Sequence, residues 1–261
     1  MRANNLIRGS NSIILERNEV IRKNFIEGGN ADSDIPHYFT LNTELDSSKK
    51  LKVIYLLPVD TTDNYAFGRG ILETQKLMIE GSISDNVLFI EPDLNTTPWF
   101  GNHPTNVKIQ QEDNMVELFD KINYEYSFFK DIEVTVLGFS KSGWGAMSMQ
   151  LNFPEYIDNA LIWDAPLDIY SLNYGMSNVF VTNQYFRDNY FLNDELITKS
   201  NNLIGKTIVI GGYDLFSTSS NGFMSELNNY PLVNYISDAT MVYAHTWDKR
   251  WIKDLLYYVN L

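Results

Sequence analysis

The chain has 261 residues, 44% of them apolar and 14% aromatic, which is enough for a sizeable core and too apolar for a disordered chain. Its 33 acidic residues outnumber 20 basic ones, and a net charge of −13 argues against nucleic acid or an anionic membrane as partner, since either needs a basic face. The lack of cysteine removes disulfides, thiol nucleophiles and Cys-ligated metals.

The opening MRANNLIRGSNSIILERN holds no apolar run of signal-peptide length, and no window approaches a membrane span, so the expected location is the cytoplasm. Residues 11–45, with SIILERNEVIRKNFI and HYFTLNTEL, predict an antiparallel strand pair at a sheet edge, turning near Gly28, Gly29 and Asn30. From residue 50 strands and helices alternate. LKVIYLLP (51–58) is a continuous apolar run, as for a strand covered on both faces. GILETQKLMIEG predicts a helix ending at Gly81, and VLFIEP (87–92) the next strand. DLNTTPWFGNHPTN is irregular, with two prolines.

Residues 112–129 predict an amphipathic helix, with Met115, Leu118, Phe119, Ile122 and Tyr126 on one face. IEVTVLG (132–138) is a strand and GWGAMSMQLNF a helix. NALIWD (159–164), KTIVIGG (206–212) and ATMVYA (239–244) are further strands, and WDKRWIKDLLYYVNL is a terminal helix. The alternation implies an α/β fold with a mostly parallel, doubly wound sheet. Residues 165–205, rich in Tyr, Phe and Asn, are too long for a plain connection and are expected to form a small helical lid.

In parallel sheets, sites collect beyond the carboxyl ends of the strands. Ser140 stands there in LGFSKSGWGA, on a tight turn between strand and helix. Such a turn lifts the hydroxyl above the sheet and aims the Lys141 N–H toward it. The same serine would also serve as a plain helix cap. Of the three histidines, His37, His103 and His245, only His245 follows Ser140 in the chain, directly after a predicted strand. Two acids occupy strand ends: Asp214 in VIGGYDLF, the preferred partner of the imidazole, and Asp164 in LIWDAP, the alternative; Asp168 is a weaker third. The loop after the 51–58 strand should supply a second oxyanion N–H, from Asp60 or else Val59, with the Asp60 side chain turned away and that of Lys141 solvated. Trp99, Phe100 and His103 are candidate substrate contacts. Three scattered histidines offer no metal cluster, and no nucleotide-binding glycine loop is present, so neither a metal nor a cofactor is expected.

LGFSKSGWGA, GGYDLF and AHTW, in this order and each after a strand, resemble the α/β-hydrolase superfamily, within it the compact esterase-like group similar to feruloyl and acetyl esterases. The resemblance spans about residues 50–261. It implies one hydrolase domain over 1–261, with 1–49 as edge strands and 165–205 as the lid. It also implies Ser140 as nucleophile, His245 as base and Asp214 as the acid, acting on a small-molecule or glycan ester. Ser142 departs from the common G-x-S-x-G pattern and is expected to stand in for a packing glycine. The superfamily also holds peptidases and members without catalysis. A peptidase, or a silent binding or assembly protein of a glycan or secretion system, therefore remains an alternative.

Overall fold

The computed structural model describes residues 45–61, 66–83, 86–94, 96–212, 215–216, 218–229 and 243–261, and the backbone alone of 11–15, 19–26, 35–41, 217 and 234–238. The antiparallel pair expected at the N-terminal edge turns around Gly28, Gly29 and Asn30, which lie outside the described residues, and it stays an expectation.

The strands β1 (Leu51–Leu57), β2 (Val87–Pro92), β3 (Ile132–Phe139), β4 (Asn159–Trp163), β5 (Thr207–Gly211) and β6 (Asn234–Asp238) pair in parallel in the order β2-β1-β3-β4-β5-β6. Parallel neighbours need crossovers, and helices supply most of them. These are α1 (Gly70–Ile79), α2 (Gln111–Glu125), α3 (Lys141–Asn152), a run formed by α4 (Ser177–Phe180), α5 (Asn183–Tyr190) and α6 (Leu192–Lys199), and then α7 (Ser217–Leu227). The chain closes with α8 (Lys249–Tyr257).

The continuous apolar strands are explained by two cores, one on each face of the sheet. Val53, Tyr55 and Leu57 of β1, Leu88 and Ile90 of β2, and Val134 and Val136 of β3 point into the first, beneath α2, α3 and the 177–203 helices. Ile54 and Leu56, Val87 and Phe89, and Leu137 and Phe139 point into the second, against α1 and α8. Successive residues thus alternate between two apolar environments. The α2 face read from the sequence is the buried one: Met115, Leu118, Phe119 and Ile122. Helix α3 is buried from Ser142 to Leu151, as a helix wedged between the sheet and the 177–203 excursion must be.

The 165–205 segment is helical and anchored. Phe180, Phe186 and Tyr190 are buried, and the rings of Phe180 and Phe186 lie 5.9 and 6.1 Å from that of Trp144. The last strand differs from the expectation. Asn234–Asp238 pairs with β5, while residues 239–242 lie outside the described residues and Tyr243 and Ala244 are not strand. Among the described residues the pairing runs from Thr207↔Asn234 to Gly211↔Asp238. Among the described residues no helix is long and apolar enough to cross a membrane.

Candidate active site

The turn between β3 and α3 is strained in a specific way. Ser140 has φ 55° and ψ −125°, a conformation costly for a residue with a Cβ. The surroundings over-determine it. A Cβ on Gly138 would stand 2.0 Å from the Ser142 carbonyl oxygen, so that position admits only glycine. The Ser140 N–H donates to the Trp163 carbonyl at 3.0 Å, fastening the turn to the end of β4. Ser142 is fully buried, and its hydroxyl accepts from the Phe139 N–H at 3.0 Å and donates to the Phe139 carbonyl at 2.9 Å. It is therefore a hydrogen-bonded strap across the turn, more than a substitute for a packing glycine.

Sheet register brings the acid beside the serine. Phe139 pairs with Trp163, so the next residues, Ser140 and Asp164, leave adjacent strands side by side. Asp164 is fully buried, with φ 39°. Its Oδ2 lies 2.6 Å from His245 Nδ1, and His245 Nε2 lies 3.1 Å from Ser140 Oγ. The acid on the imidazole is thus Asp164, the second of the two weighed; Asp214, the preferred one, lies outside the described residues. Both acids follow strands, and what separates them is strand order, which the sequence does not contain.

Burial opposes ionisation of Asp164. The bonds from His245 and from the N–H groups of Phe216 (3.0 Å) and Leu215 (3.2 Å) outweigh it and hold the carboxyl below its ordinary value. An ionised carboxylate only accepts, so Nδ1 donates to Asp164 and Nε2 is left to accept the Ser140 hydroxyl proton. Aromatic rings enclose the imidazole. Those of Phe139, Phe216 and Phe67 have centroids 4.5, 5.5 and 5.9 Å from it. No sequence motif announces this cage, because its members come from three distant segments.

Lys141 is the first residue of α3, and its N–H has no intrahelical partner by position. Its side chain, expected to be solvated, is instead engaged and largely covered. Nζ lies 3.4 Å from Asp60 Oδ1, and both side chains are largely covered. The ion pair joins the two residues whose N–H groups are the oxyanion candidates.

The expected substrate contacts do not gather here. Trp99 and Phe100 are fully buried and present no surface to a ligand. The Trp99 ring packs 5.5 Å from that of Trp144, Phe100 sits against the bare face of Gly145, and both N–H groups donate to Gln111 Oε1. Their size is used for packing, the commonest fate of aromatics in a core. His103 turns its Nδ1 inward on its own loop, accepting from the N–H groups of Thr105 and Asn106. Asp168 flanks the site and bonds neither Ser140 nor His245; its neighbours are Ser219 and Asn193. Among the described residues no group of acids and histidines could hold a metal ion.

The sheet order and the strained turn after β3 define an α/β-hydrolase fold. No protein-family model and no curated protein matches the chain. Solved structures share its fold. An S-formylglutathione hydrolase from Agrobacterium tumefaciens matches with a TM-score of 0.70 at 13% identity, over 95% of this chain and 98% of that one. A ferulic acid esterase matches at 0.63 and 15%, over 95% and 96%. The Staphylococcus aureus fluorophosphonate-binding serine hydrolase FphF matches at 0.63 and 14%, over 92% and 98%. The chain spans only about a third of some longer matches, 36% of Porphyromonas gingivalis dipeptidyl peptidase 4 and 35% of a Bacteroides ovatus chain assigned as a dipeptidyl aminopeptidase IV.

Proposed function

We propose that the chain is a serine hydrolase that cleaves a small-molecule or glycan ester through an acyl-enzyme. The observation that carries this reading is the chain of contacts from Ser140 through His245 to Asp164, at 3.1 and 2.6 Å, on a turn that holds Ser140 at positive φ. Ser140 Oγ attacks the ester carbonyl as its proton passes to His245 Nε2. Asp164 holds the imidazole in the required tautomer and stabilises the imidazolium. The N–H groups of Lys141 and Asp60 receive the oxyanion. When the tetrahedral intermediate collapses, Nε2 returns the proton to the leaving alkoxide, and the acyl group remains on Ser140. Water then repeats the sequence, giving up a proton to His245, and the acid product leaves. A silent binding protein of the same fold would be supported by a separated Ser140 and His245; the 3.1 Å contact favours the enzyme.

The test is turnover of p-nitrophenyl acetate. Wild type should release p-nitrophenol, and Ser140→Ala should lower the rate at least 10³-fold with little change in thermal midpoint. A wild-type chain inert toward esters of every acyl length would count against the reading.

A further inference from the structure

A cleft of about 260 Å³ shares Phe216 with the surroundings of His245 and Asp164. Asp168, Tyr170 and Tyr174, from the segment after β4, and Phe216, ahead of α7, form part of its walls. Phe216 joins the cleft to the site, since its N–H donates to Asp164 Oδ1 and its ring lies 5.5 Å from the imidazole. Tyr174 stands edge-on to Phe216, with centroids 5.7 Å apart. Tyr170 and Tyr174 are 59% and 51% exposed, so much of their aromatic surface is open to a ligand.

Among the described residues that line this cleft, Asp168 is the charged one. Its N–H donates to Ser219 Oγ at 2.7 Å, and its Oδ1 accepts from Asn193 Nδ2 at 3.2 Å. Its Oδ2 faces Gly222, where a Cβ would stand 3.1 Å away. Among the described residues no lysine, arginine or histidine forms an ion pair with Asp168. Arg187, bound to the same segment, directs its Nε to the Tyr170 carbonyl instead.

We propose that this cleft receives a positively charged group of the substrate, an amine or a quaternary ammonium. The proposal deepens the serine-hydrolase reading and rests on it. Asp168 and the rings of Tyr170, Tyr174 and Phe216 line one cleft, and among the described residues the carboxylate has no cationic partner. A cation there gains from the carboxylate and from the ring faces together. A neutral polyol would only exchange bonds to water for bonds to the same oxygens. The net charge of −13 points the same way, since it concentrates cationic substrates near the surface and repels anionic ones.

Two experiments separate this proposal from the reading beneath it. The first needs no hydrolysis: calorimetric titration of Ser140→Ala with choline and with its neutral isostere 3,3-dimethylbutan-1-ol. Choline should bind at least tenfold more tightly at low salt. Adding Asp168→Asn should bring the two ligands within about twofold of each other, and Tyr174→Leu should narrow the gap with the carboxylate intact. The second compares kcat/KM for two ester pairs. Choline against 3,3-dimethylbutyl acetate places the cation on the alcohol side; betaine against 3,3-dimethylbutyrate esters places it on the acyl side. Preference for the cation in either pair, lost in Asp168→Asn, supports the proposal and identifies the side. Equal binding of choline and its isostere, with no preference in either ester pair, overturns it even if ester turnover itself is brisk. If no ester is turned over, the hydrolase reading fails, and the titration alone decides the cleft.

Discussion

Ser142 occupies the position where an elbow of this kind ordinarily carries glycine, and its hydroxyl bonds both the N–H and the C=O of Phe139. Removing it would take both of these buried bonds from the turn. Ser142→Ala and Ser142→Gly should therefore each cost about 1–3 kcal/mol, read as a lower midpoint in urea unfolding with unchanged slope. An unchanged midpoint would show that the strap is dispensable. The exchange of acids is also a residue-scale matter. Asp164→Asn keeps the shape but offers Nδ1 of His245 the wrong partner, and should lower kcat by roughly 10³–10⁴-fold with a smaller change in KM. Its stability should change with pH as well. A carboxyl held below its ordinary value stabilises the fold above about pH 4, and that contribution is lost as the pH falls through the lower folded value. Acid unfolding of Asp164→Asn should lack this slope, and an identical acid limb in both proteins would count against an ionised Asp164. Ser140 and His245 were legible because one serine sits on a strand-to-helix turn and one histidine follows it. Asp164 was only half legible, because choosing it required the pairing of β3 with β4 and a buried, positive-φ geometry that no motif encodes.

Helix α2 and the 177–203 excursion meet through a polar contact that the apolar pattern did not suggest. Tyr190 of α5 donates to Glu112 Oε2 of α2 at 2.9 Å and accepts from the Asn102 N–H at 2.9 Å. Burial pushes the Glu112 carboxyl up to about 7; the Tyr190 bond opposes this, while nearby Glu195 and Asp113 add to it. A raised carboxyl works against the fold once it must ionise. As far as this group is concerned, stability should be greatest below about pH 4 and should decline as the pH rises through about 7, by roughly 3 kcal/mol in full. Glu112→Gln should flatten that decline in thermal melts between pH 5 and 8, whereas a parallel decline in both proteins would assign it to another group. The elements themselves were largely legible. Periodicity gave the α2 face, and uninterrupted apolar runs gave the doubly covered strands. Trp99 and Phe100 were misplaced because an irregular, proline-containing loop looks exposed, whereas ring packing on Trp144 and Gly145 and the bonds of both backbone N–H groups to Gln111 hold it in the core.

For the molecule as a whole, the two faces of the sheet serve different ends. The second core, built around α1 and α8, brings Phe139 and Trp247 within 5.8 Å and holds the strand ends beneath the imidazole. The first core buries α3 and anchors the 177–203 helices, so the segment that borders the cleft rests on a packed base. Between the faces, the carboxyl edge gathers Ser140, Asp164 and His245 from three distant stretches of chain. That convergence is what the order of strand ends implied, and what no single stretch could establish. The central claim is that Ser140 is an activated nucleophile. Labelling the wild-type chain with a fluorophosphonate and mapping the adduct by peptide mass spectrometry tests it most directly. Modification of Ser140 alone is expected, abolished in Ser140→Ala and strongly slowed in Asp164→Asn. An unlabelled wild type, or an adduct carried on another residue, would contradict it.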